Sequence, residues 1–378
     1  MRIHPALSSL LDFLRFLLAA MVVWGHWTHA FPYDWPDLLR LASVAVGAFF
    51  VLSGFTIYAI TREVAPAQAP GFAVERLSRL WSVALPALAV TILIELAARA
   101  LSPAYYAGCC GDTAEQPVLR IAVNALLLGE LWGWGLSPLS NTPFWSLCYE
   151  AMFYVLFAAW LRTRDARWRR VLVLALLLVV FGPTFLPYFG LWLVGVLLAK
   201  LYLELSRRAL IAVSVATLAV LFGGLAVHGL WMWLYKIALF CYELESGIRW
   251  FYPDDAPGLQ WLSTSLVGGG LGVTVLLLLA MAWVPPPAEP VPRGLAKPGL
   301  ARWCGEATFP LYLLHYPMIV PLSAWVFRED AGPSMALQLA VLALIFALAF
   351  LAVKPCEALK FRLRRALNRR WWPVRATP

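Results

Sequence analysis

LDFLRFLLAAMVVWGHWT, residues Leu11 to Thr28, is apolar enough to cross a bilayer and yet carries Asp12, Arg15 and His26. At about 1.5 Å rise per residue, a run of about this length matches roughly 30 Å of hydrocarbon. An ionisable side chain at that depth costs at least about 2.5 kcal/mol on insertion scales, so it faces a polar interior or a partner rather than lipid. Arg15 and His26 are separated by close to a whole number of turns at about 3.6 residues per turn. Both therefore lie on one stripe of a helix, about 16 Å apart in height. Asp12 stands one turn before Arg15 and is placed to hold its guanidinium as an i, i+3 pair. The stretch predicts a helix inside a membrane bundle, with a guanidinium deeper in and an imidazole nearer one mouth.

The rest of the composition agrees. The 378 residues are 62% hydrophobic and 13% charged, with a mean hydropathy of +0.74, far from the roughly one quarter charged residues of soluble domains. This is the composition of a polytopic membrane protein. A formal charge of +9 raises the question of nucleic acid, but the basic residues cluster in short loops between apolar runs, where they orient a membrane protein. The six cysteines show no metal-ligand spacing, and adjacent Cys109 and Cys110 cannot easily close on each other, so they read as thiols. The first apolar run contains Arg15 and ends in aromatics and His rather than a small-residue cleavage site, so it reads as a span that stays attached.

Apolar runs predict ten spans, near 8–29, 43–61, 80–101, 145–161, 171–186, 188–205, 209–227, 262–284, 304–327 and 335–355. Val118 to Trp134 is an eleventh run. RTRDARWRR, from Arg162, is the strongest internal basic loop and is assigned to the cytoplasm, which leaves no crossing for Val118 to Trp134; it is expected to be re-entrant or interfacial. With this topology the inside receives 23 of the 30 Lys and Arg. The outer segments are acidic and aromatic, around Asp34 and Asp37, Asp112, Tyr242 to Glu245, and Asp254 and Asp255. The expected fold class is therefore an all-α integral membrane bundle of ten spans, with re-entrant or interfacial outer segments and both termini cytoplasmic. His228 to Leu262 is too broken by charge for a clear span and reads as an outer cap or a second half-helix. Pro285 to Gly299 reads as an extended cytoplasmic linker. Residues 1–356 form one expected transmembrane domain and 357–378 a basic cytoplasmic tail, with no room for an appended soluble domain.

Four groups carry chemistry, each with a plainer alternative. Asp12, Arg15 and His26 share one span and read as a functional group or else as a structural polar cluster. Arg76 and Arg79, in ERLSRLWSVALP, sit one turn apart just inside the membrane. They read either as topology anchors and headgroup contacts or as a pair of guanidiniums matched to the phosphates of a cofactor such as coenzyme A. Glu150, in TPFWSLCYEAMFYVLF, falls near the height of His26 and is a candidate to orient the imidazole, or else reaches back to the interface. His315, in TFPLYLLHYPMIV, is a second histidine or a packing residue. Ser53 and Gly54 in FFVLSGF read equally as site or as close helix packing. Metal binding is disfavoured, because no HExxH or paired-cysteine pattern exists.

Five ordered blocks, LDFLRFLLAAMVVWGH, FFVLSGFTI, RLSRLWSVALP, FWSLCYEAMFYVLF and TFPLYLLHYP, resemble the membrane acyltransferase-3 family, which includes bacterial O-acetyltransferases of surface glycans. The resemblance implies a ten-span bundle in a bacterial cytoplasmic (inner) membrane. It implies acetyl-CoA or another short acyl-CoA as donor, and a cell-surface or lipid-linked glycan hydroxyl as acceptor. By resemblance His26 is the essential histidine, with Arg15, Glu150 and His315 as its catalytic companions. Arg76 and Arg79 match the RxxR element that meets acyl-CoA, together with Arg15. Asp12, Ser53, Trp145 and Tyr312 are supporting residues. No metal and no nucleic acid are implied, and the SGNH domain fused to some members is not expected. Phe13 stands where the family usually has glycine, and Thr308 and Pro310 alter the usual Ser-Tyr of the last block. A transporter or flippase of lipid-linked sugar is the rival from another class, although no internal repeat supports it. Among enzymes, a succinyl donor or a lipid or small-molecule acceptor is the rival.

Overall fold

The computed structural model describes residues 3–31, 38–101, 116–226, 264–287, 299–326 and 334–371, and among these every regular element is helical. The α-helices are α1 Pro5–Ala30, α2 Leu39–Thr61, α3 Ala69–Leu101, α4 Pro117–Ala125, α5 Trp145–Thr163, α6 Arg167–Phe181, α7 Phe185–Glu204, α8 Arg207–Ala226, α9 Thr264–Trp283, α10 Leu300–Val326 and α11 Met335–Trp371. Short 3-10 turns cover Pro66–Gln68, Leu131–Gly133 and Thr142–Phe144.

A helix occupies each of the ten apolar runs. Among the described residues, six helical stretches are long and apolar enough to cross a membrane, Pro5–Ala30, Leu39–Thr61, Pro66–Ala100, Thr142–Thr163, Phe185–Glu204 and Met335–Arg369, so the chain is a multi-pass membrane protein. The other four runs hold α6, α8, α9 and α10, and α9 carries neither charge nor proline along its 20 residues. With 15 residues, α6 reaches only about 22 Å. Helix α10 carries Arg302, Glu306 and three prolines along one continuous helix of 27 residues. The eleventh run holds only α4, nine residues long, followed by left-handed backbone at Leu127 and Trp132; it contains no spanning helix. Cys109 and Cys110, the acidic outer segments, His228 to Leu262 and most of the proline-rich linker lie outside the described residues.

The chain divides into two compact units. The first comprises Met1–Val22, Arg40–Glu63 and Thr184–Gly305. Leu11 of α1, Phe55 of α2, Tyr202 of α7 and Leu277 of α9 meet in its core. Its helices approach to backbone contact at glycines. A Cβ on Gly54 would run into the Trp192 carbonyl, one on Gly195 into the Val51 carbonyl, and one on Gly269 into the Val44 carbonyl. Lipid tails give apolar helices no hydrophobic reason to associate, so close packing through small residues carries more of the stability here than in water.

The second unit comprises Val23–Leu39, Val64–Pro183 and Glu306–Pro378. In it α11 and α5 both pack against α3, and α6 packs against α5. Helix α6 stops at Gly182, whose φ of 87° suits a residue without Cβ; a Cβ there would also strike Trp132. Helix α11 runs 37 residues, about 55 Å, and passes through residue 356 without a break into the basic segment. There Arg364 lies 3.7 Å from Glu75 of α3.

Candidate active site

Within the first unit, Arg15 Nη1 donates to Asp12 Oδ1 at 3.2 Å and Nη2 donates to Thr56 Oγ1. Thr56 hands its own proton to the Leu52 carbonyl at 2.9 Å, so it serves the guanidinium only as an acceptor. Asp12 therefore holds Arg15 at the spacing expected, and α2 adds a second hold that spacing could not show. Gly305 lets the start of α10 close on the Asp12 side chain. Ser53 lies on α2 beside Gly54, so its block includes a close-packed helix contact.

The second unit brings together His26, Arg76, Arg79, Trp145, Glu150, Tyr312 and His315. His26 Nδ1 lies 2.9 Å from His315 Nε2, and the rings stack with centroids 5.1 Å apart. Tyr316 meets His26 edge-on at 4.8 Å. The second nitrogen of His315, Nδ1, lies 3.1 Å from the Leu311 carbonyl oxygen. A carbonyl can only accept, so His315 Nδ1 carries the proton and, in the neutral ring, Nε2 carries the lone pair. His26 Nδ1 must then be the donor across the 2.9 Å contact, which leaves the lone pair of His26 on Nε2. The tautomer of the half-buried histidine is thus fixed by one backbone carbonyl acting through a fully buried one.

A polar chain runs on from the pair. The Tyr312 ring lies 6.2 Å from that of His315, and Tyr312 Oη is 2.7 Å from Ser146 Oγ on α5. Ser146 donates to the Pro143 carbonyl at 3.3 Å, so Tyr312 supplies the proton between the two hydroxyls. Glu150 lies within electrostatic reach of Tyr312 and accepts a hydrogen bond from Tyr154. Arg76 and Arg79 also act on Tyr154. Each guanidinium is seated on an aromatic face, Arg76 at 5.7 Å from the Phe72 centroid and Arg79 at 5.1 Å from that of Phe309, an arrangement that favours cations. Trp145 meets Tyr149 edge-on at 5.8 Å. Among the described residues no group of three or more His, Cys, Asp or Glu is placed to hold a metal ion.

A family model described as an acyltransferase domain matches residues 9–354. The chain belongs to the acyltransferase-3 family. The acyltransferase-3 match takes in every candidate residue from Asp12 to His315 and makes the protein a membrane acyltransferase. No curated protein and no solved structure matches it.

Sequence reasoning missed the loop that carries this acyltransferase-3 chain from α4 to α5. Asn124 Nδ2 donates to the carbonyls of Arg120 and Leu136, and its Oδ1 faces the Cys148 thiol at 3.6 Å. Left-handed backbone at Leu127, Trp132 and Leu139 marks a path held against its own preference. Glu130, outside the six spans, is 2% exposed, and its Oε2 is buried with no hydrogen-bond partner among the described residues. Burial pushes its carboxyl up to about 8 from the ordinary 4.5. The folded state then keeps a proton that the unfolded chain releases, so this contribution is complete below about 4.5 and is lost as pH rises through about 8. Glu130→Gln should flatten the fall in melting temperature between pH 6 and 9 in detergent; parallel curves for the two proteins would show Glu130 ionised in the fold. The only cue in the sequence was a carboxylate inside an apolar run.

Proposed function

We propose that the protein is an O-acyltransferase of a bacterial cytoplasmic membrane, moving an acetyl or similar short acyl group from cytoplasmic acyl-CoA to a hydroxyl of a cell-surface or lipid-linked glycan. Ten spans with both termini inside would put Arg76 and Arg79 at the donor's side. The observation that carries this reading is the His26–His315 contact of 2.9 Å, with His315 Nδ1 committed to Leu311. In that tautomer the lone pair of His26 sits on Nε2, the form of an imidazole that can act as a base.

An alcohol has a pKa far above 7, so its attack on a thioester needs a base in place, a contribution of about 10²- to 10⁴-fold. His26 Nε2 takes the hydroxyl proton while the oxygen bonds to the thioester carbon. The resulting positive charge is shared toward His315. When the C–S bond breaks, His26 returns the proton to the departing sulfur, so ester and free CoA thiol leave and the base is regenerated. Arg76 and Arg79 hold the donor phosphates, and Glu150 steadies the chain between those cations and the histidines.

Incubating purified protein in detergent with labelled acetyl-CoA and membrane glycans tests the reading: label should reach saccharide, with one CoA thiol released per ester. Transport of a lipid-linked sugar without CoA release would overturn it. Arg76→Ala and Arg79→Ala should each raise apparent KM for acyl-CoA about tenfold with kcat little changed, close to the value of one charge-assisted hydrogen bond. An unchanged KM in both variants would remove the arginines from the donor site.

A further inference from the structure

The catalytic helix α10 carries Pro317 two residues after His315. In an α-helix the carbonyl of Leu313 would accept from the N–H of residue 317, and proline has none. That carbonyl is not left bare. Asn141, fully buried in the loop before α5, donates to it through Nδ2 at 3.0 Å. The other Nδ2 hydrogen goes to Thr91 Oγ1 of α3 at 3.1 Å.

The orientation of the amide follows from its partners. Thr91 gives its hydroxyl proton to the Ala87 carbonyl at 2.7 Å, so toward Asn141 it can only accept, as Leu313 can. Two acceptors fix the NH₂ group between them, and a flipped amide would set oxygen against oxygen twice. The loop is itself anchored one residue earlier, where the Ser140 N–H donates to Glu95 Oε2 of α3 at 3.3 Å. Asn141 thus ties the turn bearing His315 to α3 at the point where Pro317 breaks the helix's own hydrogen-bond ladder.

We propose that Asn141 is a positioning residue for the histidine pair: by replacing the donor that Pro317 lacks, it sets the position of the His315 turn and so the 2.9 Å contact with His26. The proposal rests on the reading of that pair as the proton-moving centre. It gives the NTPFWSL segment a role separate from Glu150, and it explains why a proline directly follows the His-Tyr pair on a helix that must hold a histidine in place.

The test uses the full-length protein in detergent, with kcat, KM for acetyl-CoA and melting temperature measured on each variant. Asn141→Ala should lower kcat about 10- to 100-fold with KM within about twofold, the loss typical of a small displacement of a catalytic group. Asn141→Leu keeps about the same volume but offers no donor, so it should be as damaging as Asn141→Ala; near-native kcat in this variant would overturn the proposal. The second-site rescue is Pro317→Ala, which gives residue 317 an N–H for the Leu313 carbonyl. The double variant Asn141→Ala, Pro317→Ala should regain most of the lost kcat and the lost melting temperature. Recovery of melting temperature without kcat would reduce Asn141 to a structural brace and overturn the positioning role. If Asn141→Ala does not fold, the double variant decides alone: folded and active supports the proposal, unfolded overturns it. His26→Ala is the control for the underlying reading. Full activity in that variant defeats both, whereas its loss together with native kcat in Asn141→Ala defeats the positioning role alone.

Discussion

His26→Ala is expected to cut acyl transfer by about 10²- to 10⁴-fold while the protein still folds. The size follows from the chemistry: without a base in place, the acceptor hydroxyl must shed its proton to water during attack. Folding should survive because His26 is half-buried at the end of α1, and its partner His315 keeps the Leu311 carbonyl. The pair also ranks substitutions at His315. His315→Gln can still present a side-chain oxygen to His26 Nδ1, so it should retain measurably more activity than His315→Leu, which can accept nothing. Equal activity in the two variants would mean that His315 does not fix the His26 tautomer. Wild-type turnover in His26→Ala would remove the base itself.

Gly195→Leu is expected to yield no folded protein, and Gly195→Ala a protein with a markedly lower melting temperature in detergent. A Cβ at 195 meets the carbonyl of Val51 and the N–H of Phe55, both backbone atoms of α2, and backbone cannot rotate away as a side chain can. Overpacking of this kind costs about 1–3 kcal/mol when the surroundings yield and more when they do not. Gly190 lies on the same helix with nothing within 4 Å of its would-be Cβ, so Gly190→Ala is the matched control and should be harmless, or slightly stabilising through helix propensity. If both alanine variants melt together, the helices have room to move apart and the glycine contact is not what holds α2 to α7.

Much of this molecule was legible in its sequence because lipid imposes a simple rule. Every backbone group must be satisfied within its own segment, so apolar length alone locates helices, and a helix stands at all ten predicted places. Asp12 with Arg15 was legible for a related reason, since an i, i+3 pair is local. The match of residues 9–354 to the acyltransferase domain was likewise carried by blocks that can be read in order along the chain. Among the described residues six stretches satisfy length and apolarity together; the run from 171 to 186 does not form one helix, because α6 stops at Gly182 after 15 residues.

What the sequence determined by itself was therefore the all-helical membrane character, the family, and the set of polar residues lodged in apolar helices. Only the tertiary structure decided which of those residues meet. His26 and His315 are 289 positions apart, and no spacing rule reaches that far; the same holds for Tyr312 with Ser146 and for Asn141 with Leu313. Such contacts depend on which face each helix turns inward. That is set by backbone-to-backbone packing at glycines and by carbonyls that prolines release, and neither is visible until the helices stand side by side.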